Sequence, residues 1–330
     1  MPNAPFVSKA RISALGTYVP ERIVTNDDMS RIVDTNDEWI VQRTGIRERR
    51  YAREDEYTSH MCIAAVQNMI DRHGVSVHDV DHIIVATHTP DLPFPSVACL
   101  VQAHFGIPAA GAIDLNATCA GFVYGLHHAN ALVTSGLHRK ILVIAADTLT
   151  KITNFEDRTT CILFGDGAGA ALVEQTDGEG AFLAHHLGSD GTGGPQLYRT
   201  GIAATLNGQE LGGNGKLVQN GREVYKFAVS TVPKGVDALL ARTGLSSADI
   251  DGFVPHSANT RIIESICERT GIPFEKTLCS NEYYGNTSAA TIPLALQLGV
   301  DDGRVKPGDL LLLYGFGGGL VHAGLIVRWG

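Results

Sequence analysis

The sequence predicts an α/β protein made of two homologous halves, and three observations predict it. Apolar strand-like runs alternate with helix-patterned stretches along the 330 residues, the pattern of sheets with helices packed on them. The run Ile141–Ala145 is continuously apolar, which marks a strand buried on both faces. Features of the first half also recur, in order, in the second. The segment Ser76–His88 has a polar lead, an Asp-x-Asp step (Asp79, Asp81) and an apolar strand, and Ser246–His256 repeats it with Asp249 and Asp251. Gly106-Ile107-Pro108 is echoed by Gly271-Ile272-Pro273, and the loop around Cys119 by Tyr283–Ala290. Lys140–Ala145 is echoed by Asp309–Tyr314, and Phe164–Val173 by Phe316–Val327. Residues 1–175 are read as the first half and 176–330 as the second.

Taken in order, Arg11–Gly16 reads as the first strand, and Thr25-Asn26-Asp27-Asp28 caps a helix. Thr35 with Glu38 makes a capping box for a second helix, which sets Trp39 and Arg43 four apart on one face. An indole and a guanidinium so placed can hold a nucleotide base by stacking; a Trp on an interdomain seam beside a salt-bridged Arg fits the same pattern. Thr58–His73 is an amphipathic helix that presents Met61, Ala64, Ala65 and Met69 to a sheet.

The strand Gly111-Ala112-Ile113 then enters a polar turn that ends on Cys119, and a buried helix runs on to Val133. A helix N-terminus carries partial positive charge and unpaired N–H groups. Cys119 there is expected to have a lowered thiol pKa and thiolate character; an inert buried cysteine is the plain alternative. Thr176–Lys216 is Gly-rich and reads as strands, mobile loops and a pocket wall. No GxGxxG follows a strand and GxxxxGK[ST] is absent. Phe164-Gly165-Asp166-Gly167 is therefore read as a tight turn between strands rather than a phosphate cradle.

The net charge of -9 argues against general nucleic-acid binding, which needs a basic surface. The six cysteines are scattered with no CxxC pair, which fits neither a disulfide framework nor a zinc site. Reduced thiols in the cytosol fit best. Met1–Ala10 lacks the apolar run of a signal peptide, and no stretch approaches the roughly 18 apolar residues of a membrane span. The expectation is a cytoplasmic protein without metal, nucleic-acid or membrane partners.

Duplication brings equivalent strand ends of the two halves near a pseudo-twofold axis. Cys119 from the first half then meets His256 and Asn286 from the second, with Asn286 read as standing where Cys119 stands in the repeat. A nucleophile, an acid/base and a neutral hydrogen-bond donor converge. Asn116-Ala117-Thr118-Cys119-Ala120-Gly121, Pro255-His256-Ser257-Ala258-Asn259-Thr260-Arg261, Gly285-Asn286-Thr287-Ser288-Ala289-Ala290 and Phe316-Gly317-Gly318-Gly319 resemble the motifs of 3-oxoacyl-(acyl-carrier-protein) synthase III, in the thiolase superfamily. Asp37-Glu38-Trp39 and Asp157-Arg158-Thr159 match as well, so the resemblance spans about Arg11 to Trp329.

The resemblance implies a thiolase-like five-layered αβαβα sandwich, a homodimer and a Cys119–His256–Asn286 triad. It implies the initiating condensation of fatty-acid synthesis: an acyl-CoA primer loads Cys119, and decarboxylative condensation with malonyl-acyl carrier protein follows. Acyl-CoA is then a substrate, with no tightly bound cofactor. By the same resemblance the backbone N–H groups of Cys119 and Gly318 form the oxyanion hole. Trp39 and Arg158 hold the adenine of CoA, Thr35, Arg43, Asn259 and Arg261 line its path, and Tyr225 meets the pantetheine arm. Phe94 floors the partner subunit's acyl pocket, and Lys226, Arg261 and Arg269 meet the acidic carrier protein. The sequence departs from the family there, because Glu268 precedes Arg269 where two basic residues can occur.

Three rivals are weighed. Papain-like proteases share the Cys…His…Asn order, but their C-G-[SA]-C-[WY] signature is absent. A superfamily acyltransferase, or a condensing enzyme of secondary metabolism, would use the same acyl-cysteine; the pair His256 and Asn286 favours decarboxylative condensation. A silent scaffold would not need every reactive position filled. The primer is not set by the sequence, since one or two methylenes in an apolar pocket are worth only about 1–3 kcal/mol.

Overall fold

Strands and helices alternate along the chain of this computed structural model, which describes residues 7–330. The expectation drawn from Met1–Ala10 falls, for residues 1–6, outside the described residues. The strands are β1 (Ala10–Tyr18), β2 (Arg22–Thr25), β3 (Glu48–Tyr51), β4 (His82–Ala86), β5 (Gly111–Leu115), β6 (Lys140–Asp147), β7 (Gly167–Gln175) and β8 (Phe182–Ser189). They continue as β9 (Leu197–Arg199), β10 (Thr205–Leu206), β11 (Gln209–Glu210), β12 (Leu217–Gln219), β13 (Gly252–Pro255), β14 (Leu310–Gly317) and β15 (Val321–Arg328). The α-helices are α1 (Asn26–Ser30), α2 (Asp37–Thr44), α3 (Thr58–His73), α4 (Val97–His104) and α5 (Gly121–Thr134). After them come α6 (Gly221–Thr243), α7 (Thr260–Thr270), α8 (Asn281–Tyr284) and α9 (Thr291–Asp301).

Two sheets carry the fold. The first has the order β1-β7-β6-β4-β5, with β4 parallel to β5 and β6 and with β7 antiparallel to both its neighbours. The second has the order β13-β14-β15-β8, with β13 parallel to β14 and the other pairs antiparallel.

Side-chain alternation along the central strands, which follows from the two-residue strand period, shows the layers. In β6, Ile141, Val143 and Ala145 share a core with Phe122 and Leu126 of α5 and Ile292 and Leu296 of α9. The intervening Leu142, Ile144 and Ala146 share another with Met61, Ala65 and Met69 of α3 and Val97 of α4. In β14, Leu311 and Leu313 join the first core, whereas Leu312 and Tyr314 pack with Val232 of α6 and Ile263 of α7. The layers are therefore α3/α4, sheet, α5/α9, sheet, α6/α7: the five-layered αβαβα sandwich. Each fully buried Leu or Ile here contributes about 1.5–3 kcal/mol, and the expected burial of Ile141–Ala145 on both faces holds.

The middle layer positions the site. Helix α5 lies between two sheets and is therefore apolar nearly all round. Its glycines let it sit close to the first sheet: a Cβ at Gly121 would stand 2.8 Å from Ala86 Cβ, and one at Gly125 would stand 2.8 Å from Val143 Cγ1.

Two local expectations are corrected. The N-cap of α2 is Asn36, whose side chain accepts from the Trp39 N–H at 2.8 Å. The helix starts one residue later than a Thr35 cap requires, and Thr35 Oγ1 has no hydrogen-bond partner. Phe164–Gly167 is no tight turn between strands, because β6 ends at Asp147 and β7 begins at Gly167. Gly165 N–H instead donates to the Asn286 carbonyl at 3.0 Å, and the Asp166 carboxylate accepts from Thr150 and Ala52. The segment pins the two halves together.

Candidate active site

Cys119 lies in a single 3-10 turn, Thr118–Ala120, that runs straight into α5. Its N–H precedes the first bonded amide of that turn, Ala120 N–H to Ala117 O, so it belongs to the donors a helix start leaves unpaired. Thr118 sits at φ 43°, a left-handed conformation that costs a non-glycine residue about 1–3 kcal/mol. Thr118 Oγ1 donates to the Gly318 carbonyl at 2.8 Å, which ties the turn to the end of β14. Glycines permit that contact: a Cβ at Gly317 would lie 2.9 Å from Cys119 Cβ, and one at Gly315 would lie 2.6 Å from Ala120 Cα.

The second half repeats this geometry in a register the sequence comparison placed differently. The turn Ser288–Ala290 runs into α9, and Ser288 takes φ 57°. Thr118 therefore matches Ser288, Cys119 matches Ala289, and Asn286 matches Asn116. Both asparagines turn Oδ1 back on the turn: Ser288 N–H donates to Asn286 at 2.8 Å, and Thr118 N–H to Asn116 at 3.4 Å. Asn286 does not stand where Cys119 stands; it stands three residues earlier in the repeat.

Cys119, His256, Asn286 and Gly318 all line one cavity of ≈ 1040 Å³. Asn286 is held by its backbone, with its N–H on Leu163 O at 2.8 Å. With Oδ1 engaged by Ser288 N–H, its Nδ2 donors are left to the cavity. His256 follows β13 and is 2% exposed. Its Nδ1 lies 2.8 Å from Thr291 Oγ1, and that hydroxyl donates to the Ser288 carbonyl at 2.9 Å. A hydroxyl has one proton, so Nδ1 must be the donor and Nε2 carries the lone pair.

Burial pushes the Cys119 thiol up to about 12, against a lowering hydrogen bond from Ser288. Burial also pulls His256 down to about 3. The expected lowered thiol is thus overturned: desolvation outweighs the helix start, and the pair rests as neutral thiol and neutral imidazole.

Toward the mouth of the cavity, Arg43 Cζ stands 5.0 Å and Arg158 Cζ 5.1 Å from the Trp39 ring centroid, both in cation–π contact. Trp39, Arg43, Tyr225, Asn259 and Arg261 line the cavity. Asn259 caps α7 and donates to the Arg43 carbonyl at 3.1 Å, while Arg261 Nε donates to the Gln42 carbonyl at 2.9 Å. These two residues thus fasten α7 to the end of α2, a duty their sequence positions did not reveal. Thr35 is half-buried near the start of α2, and Arg158 reaches the Asp34 carbonyl at 2.9 Å. Tyr225 shares a hydrogen bond with Ser265 at 2.9 Å. Lys226 pairs with Glu223 at 2.6 Å, and Arg269 is exposed at the end of α7. The Phe94 ring is 84% exposed and is not part of this chain's cavity. The wall expected from Thr176–Lys216 is real, since Leu197–Gly201 line the cavity.

Two αβ halves with a cysteine opening the central helix, and a histidine and an asparagine facing it, define an acyl-transferring condensing enzyme of the thiolase fold. Residues 113–191 match the family description 3-oxoacyl-[acyl-carrier-protein] synthase III, and residues 240–329 match its C-terminal part. The chain is 62% identical over 323 residues to β-ketoacyl-[acyl-carrier-protein] synthase III 2 of Halalkalibacterium halodurans, covering 98% of this chain and 97% of that one. The crystal structure of β-ketoacyl-[acyl carrier protein] synthase III from Thermus thermophilus superposes with TM-score 0.93 at 48% identity, over 97% of this chain and 99% of that one. The priming β-ketosynthase of the R1128 polyketide pathway superposes with TM-score 0.90 at 34% identity, over 99% and 98%. The chain belongs to the 3-oxoacyl-[acyl-carrier-protein] synthase III family.

Proposed function

We propose that this protein carries out the initiating condensation of type II fatty-acid synthesis, with Cys119, His256 and Asn286 as its catalytic residues. The observation that carries the reading is their convergence on one cavity from two halves, each fixed by its own backbone. In the loading step Cys119 Sγ attacks the carbonyl carbon of acyl-CoA and the carbon–sulfur bond to CoA breaks. The thiol proton passes by His256 Nε2 to the departing sulfur. The tetrahedral oxyanion meets the N–H groups of Cys119 and Gly318, donors worth about 10²–10³ in rate each.

In the second step malonyl-acyl carrier protein loses CO2 and the electron pair enters an enolate. Asn286 Nδ2 donates to the enolate oxygen. His256 donates there only after taking a proton at Nε2, which burial opposes and the enolate's charge favours. The enolate carbon then attacks the acyl carbon, Cys119 leaves as thiolate, and the proton on His256 returns it to the thiol. One proton is consumed for each CO2 released. No resident cofactor is required by these steps.

The same reading assigns Trp39, Arg43, Arg158, Thr35, Asn259 and Arg261 to the CoA path and Tyr225 to its pantetheine arm. It assigns Lys226, Arg261 and Arg269 to the carrier protein. It makes residues 1–175 and 176–330 the homologous halves, supported by the repeated turn before α5 and α9. A homodimer is supported by Phe94 and Leu92, which are 84% and 52% exposed on one loop. A cytoplasmic location is supported by six free thiols and by an acyl-CoA substrate. Among the described residues no helix is long and apolar enough to cross a membrane. The similarity to the R1128 ketosynthase supports a second reading, priming of a secondary pathway with the same chemistry. Intact-mass analysis with acyl-CoA followed by malonyl-carrier protein tests the proposal. An adduct on Cys119 discharged as 3-oxoacyl-carrier protein upholds it, and an adduct indifferent to malonyl-carrier protein refutes it.

A further inference from the structure

Ser288 is 0% exposed and opens the turn before α9 in the left-handed conformation, φ 57°. Its three polar groups reach all three members of the triad, one of them through Thr291. Its N–H donates to Asn286 Oδ1 at 2.8 Å. Its carbonyl accepts at 2.9 Å from Thr291 Oγ1, the hydroxyl that meets His256 Nδ1 at 2.8 Å. Its own hydroxyl donates to Cys119 Sγ at 3.5 Å. The first two are backbone contacts that do not depend on the side chain; the third exists only because residue 288 carries a hydroxyl. The equivalent hydroxyl of the first half, Thr118 Oγ1, donates to the Gly318 carbonyl instead, so the repeat does not account for the contact with sulfur.

Loading and condensation both put negative charge on this sulfur. It is charged when it attacks the acyl-CoA carbonyl after giving up its proton, and again when the carbon–sulfur bond breaks and it leaves as thiolate. The burial that pushes the thiol up to about 12 also withholds water from that charge. The donors already assigned are engaged elsewhere: the Cys119 N–H with the oxyanion and Asn286 with the enolate, while His256 donates only after taking a proton. We propose that Ser288 is a further catalytic residue, whose hydroxyl donates to the Cys119 sulfur and stabilises the thiolate in both steps. The hydroxyl keeps its own proton throughout, and its bond strengthens as the acceptor becomes charged. The proposal rests on reading Cys119 as the nucleophile.

The local charges agree. The Ser288 hydrogen bond lowers the Cys119 thiol against burial and against the Asp147 charge. The buried Asp147 carboxylate is the rival for the Ser288 proton, but among the described residues the sulfur is the acceptor that stands in hydrogen-bond geometry to it.

Iodoacetamide alkylation of the full-length protein at neutral pH, read at Cys119 by peptide mass spectrometry, tests the proposal. Exposed Cys99 is the internal rate reference, and buried Cys62 reports any unfolding. Ser288→Ala removes the hydroxyl and leaves the N–H and carbonyl in place. A hydrogen bond to a charged acceptor is worth about one to two pKa units, and the more basic thiolate regains about half of that in nucleophilicity. Alkylation of Cys119 is therefore expected to slow about three- to tenfold, and single-turnover loading from acyl-CoA to slow with it. CO2 release from malonyl-carrier protein without a primer makes no use of the sulfur and should fall less than loading. Faster alkylation, as a loosened site gives, overturns the proposal, and so does an unchanged rate, as a proton resting on Asp147 gives. An equal fall in loading and CO2 release also overturns it, since Ser288 would then serve Asn286 and His256 rather than the sulfur. If Ser288→Ala exposes Cys62, Ser288→Gly is read in its place by the same criteria, because glycine takes a positive φ without strain. Wild-type Cys119 that takes no acyl group from acyl-CoA would instead refute the functional reading, with the alkylation comparison unaffected.

Discussion

Gly317→Ala separates an oxyanion hole built by close backbone approach from a site that merely tolerates glycine. The added Cβ would stand 2.8 Å from Thr118 Oγ1, 2.9 Å from Cys119 Cβ and 3.0 Å from Cys119 N. Ordinary contact begins near 3.4 Å, so the two chain segments must part by roughly 0.5 Å, the scale at which a core resists overpacking. None of these neighbours can swing aside freely. One is backbone, and Thr118 Oγ1 is bonded to the Gly318 carbonyl at 2.8 Å. The substitution should cost about 1–3 kcal/mol of stability and pull the Cys119 and Gly318 N–H groups out of register. Loss of one such donor slows the reaction about 10²–10³-fold. Single-turnover loading of Cys119, followed by intact mass, reads this directly. Gly318→Ala should be milder, since its nearest contact would be Leu197 Cγ at 3.2 Å; Gly191→Ala meets nothing within 4 Å and serves as control. A Gly317→Ala protein that loads at the wild-type rate would refute the argument from close approach.

Asn286→Ala should load acyl-CoA at close to the wild-type rate and lose about 10²–10³ in the decarboxylative step, as CO2 release from malonyl-carrier protein would show. Arg158→Ala, made at a side chain 47% exposed, should raise KM for acyl-CoA about fivefold, the scale of a cation–π contact near 1 kcal/mol. Its kinetics with an acyl-pantetheine lacking the nucleotide should be unchanged. With the Cys119 thiol pushed up to about 12, its thiolate fraction grows tenfold per pH unit through neutrality. Alkylation should therefore rise without levelling between about pH 6 and 9, and a plateau below pH 8 would reveal a resting thiolate–imidazolium pair.

Local patterns told most of the fold. The apolar run at Ile141–Ala145 and the helix Thr58–His73 are legible because burial on two faces, or on one, leaves a period in the residues themselves. The repeat was legible as an order of features but not in register. Only the left-handed residues Thr118 and Ser288 show that Asn116 and Asn286 correspond, and φ is not written in a threonine or a serine. The Thr35–Glu38 capping-box pattern misplaced the start of α2 by one residue, because the neighbouring Asn36 is itself a strong cap. Trp39 and Arg43 were found by helical spacing, and their contact holds at 5.0 Å. The ionisation of Cys119 was missed because a helix start is local, whereas burial by residues far away in sequence is not. Ser288 and Thr291 had no signal at all: Ser288 meets Cys119 across the two halves, and Thr291 meets His256 from the start of α9.

The most direct measurement is the fate of the acyl group on Cys119. Protein mixed with acyl-CoA and then with malonyl-carrier protein should show, by intact mass and peptide mapping, an acyl adduct at Cys119 that disappears as 3-oxoacyl-carrier protein and CO2 form. The adduct should persist in Asn286→Ala. An adduct on any other residue, or one that malonyl-carrier protein leaves in place on the wild-type protein, would contradict the account.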